Sequence, residues 1–200
     1  APTWEGEDEA NNYTSMDLYG KKIIDAALRQ SNCRTIYKPH PRILTSKDPK
    51  VVAAHKYIIS KLNKAPHQIL LEGDVIEVLL GTDILISDIS SVTLDYLYLK
   101  PSGAIFLSDR RTDLASLETE SPVASAATII DLNSVDNLSA QLENTLQKDE
   151  LAAKRAEVCR YYFGGIAAGE SSKTYYAAIF ISISEHEVAL NALTRTRRSI

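Results

Sequence analysis

Two short stretches of the chain carry residue types that suit the binding of a phosphate. The first is Lys38-Pro39-His40-Pro41, in which two prolines restrict the backbone around a histidine. A histidine held in this way can act as a general acid or base, or can place positive charge beside a phosphate. Lys38 adds a second cationic group two residues earlier. The alternative is a histidine that is only hydrogen-bonded within a loop.

The second stretch, residues 83–96, predicts a short apolar strand, a polar turn with Asp88, Ser90 and Ser91, and a helix that begins near Val92. The N-terminus of such a helix presents unpaired N–H groups at the positive end of its dipole, which makes it an anion site. Either serine can be the N-cap, and the other hydroxyl can then turn toward a phosphate oxygen. The alternative is that the serine pair only caps the helix.

Two further polar positions are candidates for substrate contact. Asp95 lies four residues after Ser91, on the same face of the predicted helix, where it could bind a sugar hydroxyl. Ser171 follows a glycine-rich loop over residues 164–169 and precedes the last predicted helix. That loop could close over a binding crevice, or it could only turn the chain into the helix.

The hydrophobic periodicity predicts an α/β fold with a doubly wound, Rossmann-like parallel sheet, because strands alternate with helices along the chain. Predicted strands cover residues 34–38, 68–72, 83–87, 103–108 and 128–132, and predicted helices cover 16–30, 49–64, 74–80, 91–99, 134–147, 150–162 and 171–193. Ligands of such sheets bind outside the carboxyl ends of the strands. We therefore expect the turns after residues 38, 72, 87 and 108 to face one crevice.

The expected domain organisation is one Rossmann-like nucleotide-binding domain over residues 1–180, followed by a helix end and a basic tail over 181–200. The tail, Arg195-Thr196-Arg197-Arg198, could contact anionic lipid or remain solvated. Residues 1–12 are polar and acidic and read as a loop that leaves a strand. The start without methionine suggests a piece of a longer protein.

Composition excludes several classes of function. The chain has 200 residues, of which 44% are hydrophobic and 24% charged, as in an ordinary soluble protein. The net charge of −4 argues against nucleic-acid binding. Neither Cys33 nor Cys159 has metal-ligand spacing, and both are expected to be reduced. The sequence contains no metal-binding cluster, P-loop, G-x-G-x-x-G or G-x-S-x-G motif, membrane span or signal peptide.

Taken together, the motifs and their order resemble the C-terminal half of the CDP-glycerol glycerophosphotransferase family, whose members are teichoic-acid primases and polymerases with capsule-building relatives. The resemblance covers most of residues 1–180. The segments that carry it are Ala1-Pro2-Thr3-Trp4, Lys38-Pro39-His40-Pro41, Ile86-Ser87-Asp88-Ile89-Ser90-Ser91 with Asp95, Leu99-Lys100-Pro101 and the late Gly169-Glu170-Ser171-Ser172.

The resemblance implies the C-terminal nucleotide-binding half of a GT-B fold. His40 would match the essential histidine of that half and stabilise the pyrophosphate as CMP leaves. Ser90 and Ser91 would hold phosphate, and Asp88 or Asp95 would fix the polyol or ribose. The implied donor is a substrate, CDP-glycerol or a similar activated polyol, and no metal or other cofactor is implied.

The resemblance also implies partners that lie outside this chain. A second catalytic histidine belongs to a His-Gly-Thr-Pro-like motif of the family's N-terminal GT-B domain, and this sequence has no such motif. The chain alone is therefore expected to bind nucleotide weakly and to turn over little. The full enzyme is expected to be cytoplasmic, peripheral on the inner face of the membrane, and to act on a membrane-anchored polymer.

Two other functions remain open from the sequence. A GT-B glycosyltransferase or epimerase that uses a UDP-sugar would need the same crevice. A non-catalytic module would use the sheet only to recruit or regulate another domain.

Overall fold

The computed structural model describes residues 1–6, 12–111, 117, 121–167 and 169–197, with the backbone alone for 192–197. The strands are Ile36–Tyr37 (β1), Gln68–Ile69 (β2), Ile84–Asp88 (β3), Ala104–Ser108 (β4) and Thr128–Ile130 (β5). The helices are Met16–Leu28 (α1), Pro49–Lys61 (α2), Val75–Leu80 (α3), Val92–Leu99 (α4), Leu138–Gln147 (α5), Ala152–Phe163 (α6) and Ser171–Arg197 (α7). Short 3₁₀ segments cover Pro41–Thr45, Pro122–Ala126 and Val135–Asn137.

Every strand pair in the described residues is parallel. β1 pairs with β2, with Ile36 opposite Gln68. β3, β4 and β5 form a second sheet in that order, with Ile84 opposite Ala104 and Phe106 opposite Thr128. Parallel strands joined by helices make this a Rossmann-like α/β fold, which confirms the sequence-based prediction.

Helix α1 packs with one stripe of residues against β1 and α2 and with another against β4 and α5. One stripe, which includes Met16 and Ile24, joins a buried cluster with β1 and α2. A second stripe, which includes Tyr19 and Ala26, packs with Phe106 of β4 and with α5. Helices α3 and α4 contact each other separately. Each residue of β4 is buried, as expected for a strand covered on both faces.

Local sequence signals explain where helices begin. Asp48 accepts hydrogen bonds from the backbone N–H groups of Lys50 at 2.7 Å and Val51 at 3.3 Å, and Pro49 occupies the first turn of α2. Asp74 caps α3 by accepting from the N–H of Ile76 at 2.9 Å. Asp74 is thus the N-cap residue of the helix that the sequence predicts over 74–80.

The structure corrects three predicted elements. The strands predicted over 34–38 and 68–72 are shorter, Ile36–Tyr37 and Gln68–Ile69, although single backbone hydrogen bonds to Thr35 and from Leu70 extend the pairing by one residue at either end. The helix predicted over 134–147 is split into the 3₁₀ segment Val135–Asn137 and α5. Ser134 makes no side-chain capping bond, and its hydroxyl donates instead to the backbone oxygen of Ile129 at 3.0 Å.

The chain divides into two compact units, residues 1–162 and 163–200. The second unit contains α7, and the boundary predicted at residue 180 falls inside this helix. Several large apolar side chains of α7 are exposed, among them Tyr175, Phe180 and Ile181. The side chains of the predicted basic tail lie outside the described residues. None of the described helices combines the length and apolarity that crossing a bilayer requires.

Candidate functional site

The polar turn after β3 starts from a buried carboxylate. Asp88 is 3% exposed and accepts hydrogen bonds from four donors. These are the N–H of Thr3 at 2.8 Å, the N–H of Ser15 at 2.9 Å, the hydroxyl of Ser108 at 2.6 Å and the hydroxyl of Thr14 at 3.3 Å. Because all four groups donate, the ionised carboxylate is the form that this environment satisfies.

Burial raises the pKa of Asp88 above its ordinary value, and the hydrogen bonds from Ser108, Thr3 and Ser15 act in the opposite direction. The donors come from the opening segment, from the start of α1 and from the end of β4. One side chain therefore holds three separate parts of the chain at the carboxyl end of β3.

The Pro-His-Pro turn lies at the same edge of the fold. The N–H of His40 donates to the backbone oxygen of Pro2 at 3.0 Å, and the next residue, Thr3, donates to Asp88. Two consecutive residues thus connect the turn after β1 to the turn after β3. The carboxyl ends of these strands face one region, as the sequence analysis predicts for a Rossmann-like sheet.

His40 is exposed, but its position is defined by several contacts. Its Nδ1 accepts a hydrogen bond from the N–H of Arg42 at 3.2 Å, and its ring lies 6.2 Å from the Trp4 ring, centroid to centroid. With Nδ1 acting as the acceptor, a neutral His40 carries its proton on Nε2. Nε2 is then the nitrogen that can donate to a ligand.

Two cations flank this histidine. The Arg42 guanidinium carbon lies 4.0 Å from the centroid of the Trp4 ring, a cation–π contact that orients the group. Partial burial, followed by the charges of Arg42 and Lys38, lowers the pKa of His40. His40 is therefore neutral at pH 7, beside two groups that are positively charged. Such a set suits a phosphate or pyrophosphate.

The second predicted stretch forms the start of α4. Ser91 is the N-cap residue and makes no side-chain capping bond, whereas the Ser90 hydroxyl accepts a long hydrogen bond from the N–H of Val92 at 3.4 Å. Ser91 and Asp95 are exposed, and Asp95 lies in the first turn of α4. The N-cap residue Ser91 thus has a hydroxyl that makes no capping bond, and the role of the serine pair in binding a phosphate stays a prediction.

Two arginines that follow β4 form ion pairs within the protein. Arg110 pairs with Asp17 at 3.2 Å. Arg111 donates to the buried Asp109 from its backbone N–H at 3.0 Å, from Nε at 3.1 Å and from a terminal nitrogen at 3.3 Å. These ion pairs hold the segment that follows β4 in position. Ser171 begins α7 in the second unit.

Sequence reasoning missed Arg42 as a functional candidate, although its position two residues after His40 in a proline-started turn was a usable signal. The supporting roles of Thr14 and Ser15 had no local signal, because their partner, Asp88, is more than seventy residues away in the chain. Among the described residues, no group of three or more histidine, cysteine, aspartate or glutamate side chains is placed to hold a metal ion.

Fold and site together define an α/β domain of the Rossmann-like class with a polar, cationic edge at the carboxyl ends of its strands. Comparison with family models then gives a match over residues 1–181 to the CDP-glycerol:poly(glycerophosphate) glycerophosphotransferase family, and the chain belongs to that family. Comparison with curated proteins gives no significant match, and comparison with solved structures gives none either.

We expect Asp88→Asn to lower the free energy of unfolding by about 3 kcal/mol. The reason is that the NH₂ group of asparagine would face buried N–H and O–H groups that also donate. Asp95→Asn is the matched control: its carboxylate is exposed, so the change stays within about 0.5 kcal/mol. Urea unfolding followed by circular dichroism measures both. Equal effects of the two variants would contradict the supporting role of Asp88.

The pH titration of His40 tests the electrostatics of the site. We expect a midpoint below the ordinary histidine value of about 6.5 and an upward shift in Arg42→Gln, because one of the positive charges that oppose protonation is removed. The imidazole C–H resonances in an NMR titration report this directly. Lys64→Gln removes an exposed charge that does not act on His40, and it should leave the midpoint unchanged.

Proposed function

We propose that this chain is the donor-binding C-terminal domain of a glycerophosphotransferase that moves a polyol phosphate from a CDP-polyol, such as CDP-glycerol, to an acceptor hydroxyl. The observation that carries the proposal is the geometry of His40. Its Nδ1 is occupied by a backbone N–H, its Nε2 can donate, and the cations of Lys38 and Arg42 act on it. Family membership supports the class of reaction.

The chemistry of the transfer explains why such a group is useful. The acceptor oxygen bonds to the phosphorus that carries the polyol, and the bond from that phosphorus to the bridging oxygen breaks, so that CMP leaves with an added negative charge. Preorganised donors and cations aimed at that charge lower the barrier. In this proposal Nε2–H of His40 donates to a pyrophosphate oxygen, and Lys38 and Arg42 offset the charge.

The start of α4 supplies the second part of the proposed donor site. Ser90, Ser91 and the positive end of the helix dipole hold a phosphate oxygen. Asp95, one turn further, accepts from a hydroxyl of the ribose or polyol. Asp88 is the other carboxylate suggested for that contact, but its oxygens already accept four hydrogen bonds, so we assign it to support of the site.

The proposed setting is a GT-B enzyme, in which a partner domain faces this one and supplies the group that activates the acceptor hydroxyl. The acceptor is a polymer of the teichoic-acid or capsule type, anchored in the membrane. The enzyme would then work as a peripheral protein at the inner face of the membrane, and this chain alone would be close to inactive.

Thermal stability with nucleotides tests the choice of donor. A ligand at about ten times its Kd stabilises the folded state by about 1.4 kcal/mol, which raises the midpoint of a 200-residue chain by about 3–6 °C. We expect this rise with CMP and CDP-glycerol, and a smaller one in Ser91→Ala. Ser102→Ala, an exposed serine outside the site, is the control.

Two other results of the nucleotide experiment would contradict the proposal. A rise with UDP and UDP-N-acetylglucosamine alone would favour a glycosyltransferase or epimerase domain. No rise with any nucleotide, even with the partner domain present, would favour a non-catalytic module.

Transfer activity of the full-length enzyme tests the role of His40. We expect His40→Ala to lower kcat by about 10² to 10⁴, the range typical of a lost proton-donating or charge-stabilising group. His186→Ala replaces an exposed histidine of α7 and should leave transfer unchanged. Normal transfer by His40→Ala would overturn the assignment.

A further inference from the structure

Strand β1 is an outer strand of the first sheet, and β3 is an outer strand of the second. In the described residues, each pairs with another strand along one edge only. In β1 and its flanks, the backbone oxygens of Thr35 and Tyr37 accept from Gln68 and Leu70 of the neighbouring strand segment. Backbone groups of successive residues in a strand point to opposite sides. The N–H and C=O of Ile36 therefore point away from β2.

The same alternation applies to β3. The backbone oxygen of Asp83 accepts from the N–H of Ala104, so the odd-numbered residues point toward β4. The groups of Ile84 and Ile86 then point to the other side. The contact at this edge agrees, because the amine of Ala1 donates to the backbone oxygen of Ile86 at 2.7 Å.

The two unpaired edges border one cavity of about 440 Å³. Residues 35–38 line it from the side of β1, and β3 lines it over its whole length. The walls above and below are apolar side chains of α1 and α3, including Ile24 and Leu79. A strand buried in a parallel sheet needs backbone hydrogen-bond partners along both edges and apolar side chains against both faces. This cavity offers both.

The strands on the two sides also run in the same direction. Pro2 accepts from His40, which follows β1, and Thr3 donates to Asp88, the last residue of β3. The carboxyl ends of β1 and β3 therefore lie at the same edge. A strand between them can pair in parallel with both.

We infer that this cavity receives a further parallel strand, an extended apolar segment that leads directly into Ala1 and joins the two sheets into one. The order would be β2, β1, the added strand, β3, β4 and β5. This is the order of a doubly wound sheet in which the strand that comes first in the chain lies at the centre.

The contacts of Ala1 define the register of the added strand. The N–H of Ala1 already reaches Ile86, and its backbone oxygen accepts from the hydroxyl of Ser87 at 3.0 Å. In a parallel ladder the residue two positions before Ala1 donates to Ile84, and the residue between them faces Ile36. Burial lowers the pKa of the Ala1 amine to about 6, so this position suits a neutral peptide N–H better than a charged group.

The experiment compares two chains that carry six added residues before Ala1, either Lys-Val-Ile-Val-Ile-Val or the same segment with prolines at its third and fifth positions. Proline keeps the added residues apolar but removes the N–H groups that a ladder needs. We expect the first extension to raise the thermal midpoint by about 4 °C or more over the chain without an extension, and the proline version to raise it by much less.

Hydrogen exchange supplies a readout at single residues. The amides of Ile36, Ile84 and Ile86 should exchange at least about tenfold more slowly in the first extended chain than in the proline control. The amide of Leu85, which points toward β4, is the internal control and should not change. Neither readout involves a nucleotide, so the result is independent of the proposed function.

Two results would overturn the inference. One is equal stabilisation by the two extensions, since the cavity would then only bury apolar groups without pairing a strand. The other is unchanged exchange at Ile36 and Ile84 with the first extension, whatever happens to the midpoint.

Discussion

The position of the candidate site depends on one buried carboxylate. Asp88 lies at the end of β3 and takes donors from the opening segment, from the start of α1 and from β4. Desolvation of a carboxylate is costly, and here charge-assisted hydrogen bonds offset part of that cost. The same bonds position Pro2 and Thr3, and Pro2 in turn holds the backbone of His40. A buried polar group can thus set the distance between the turn that carries His40 and the turn that follows β3.

The polar residues of this edge divide into two layers. In the inner layer, Asp88 is hydrogen-bonded within the protein, Arg110 pairs with Asp17 and Arg111 pairs with Asp109. These contacts hold the ends of the strands in position. At the surface lie His40, the start of α4 and the two cations that lower the pKa of His40. A site for a departing phosphate needs this division. Donors and cations that are already paired with groups of the protein cannot stabilise the charge that develops on a leaving phosphate.

The two sheets and the cavity between them connect the fold to the site. The turns that carry His40 and Asp88 follow strands on opposite sides of this cavity, and a doubly wound sheet binds its ligands where the strand order reverses, outside the carboxyl ends. Whatever fills the space between β1 and β3 therefore also sets the spacing of the turns. The backbone groups that border this cavity therefore affect both the stability of the sheet and the geometry of the site.

The sequence alone determined the class of fold, the turns that matter and the residue types in them. Alternating strands and helices, capping aspartates such as Asp48 and Asp74, and the prolines around His40 act locally, so their effects can be read along the chain. The tertiary structure decided which polar residues are buried and hydrogen-bonded within the protein and which are exposed at the candidate site. Asp88 and Asp95 are indistinguishable as motif residues, but one is buried against four donors and the other is exposed. That difference arises from contacts between segments distant in the chain, for which local spacing contains no signal.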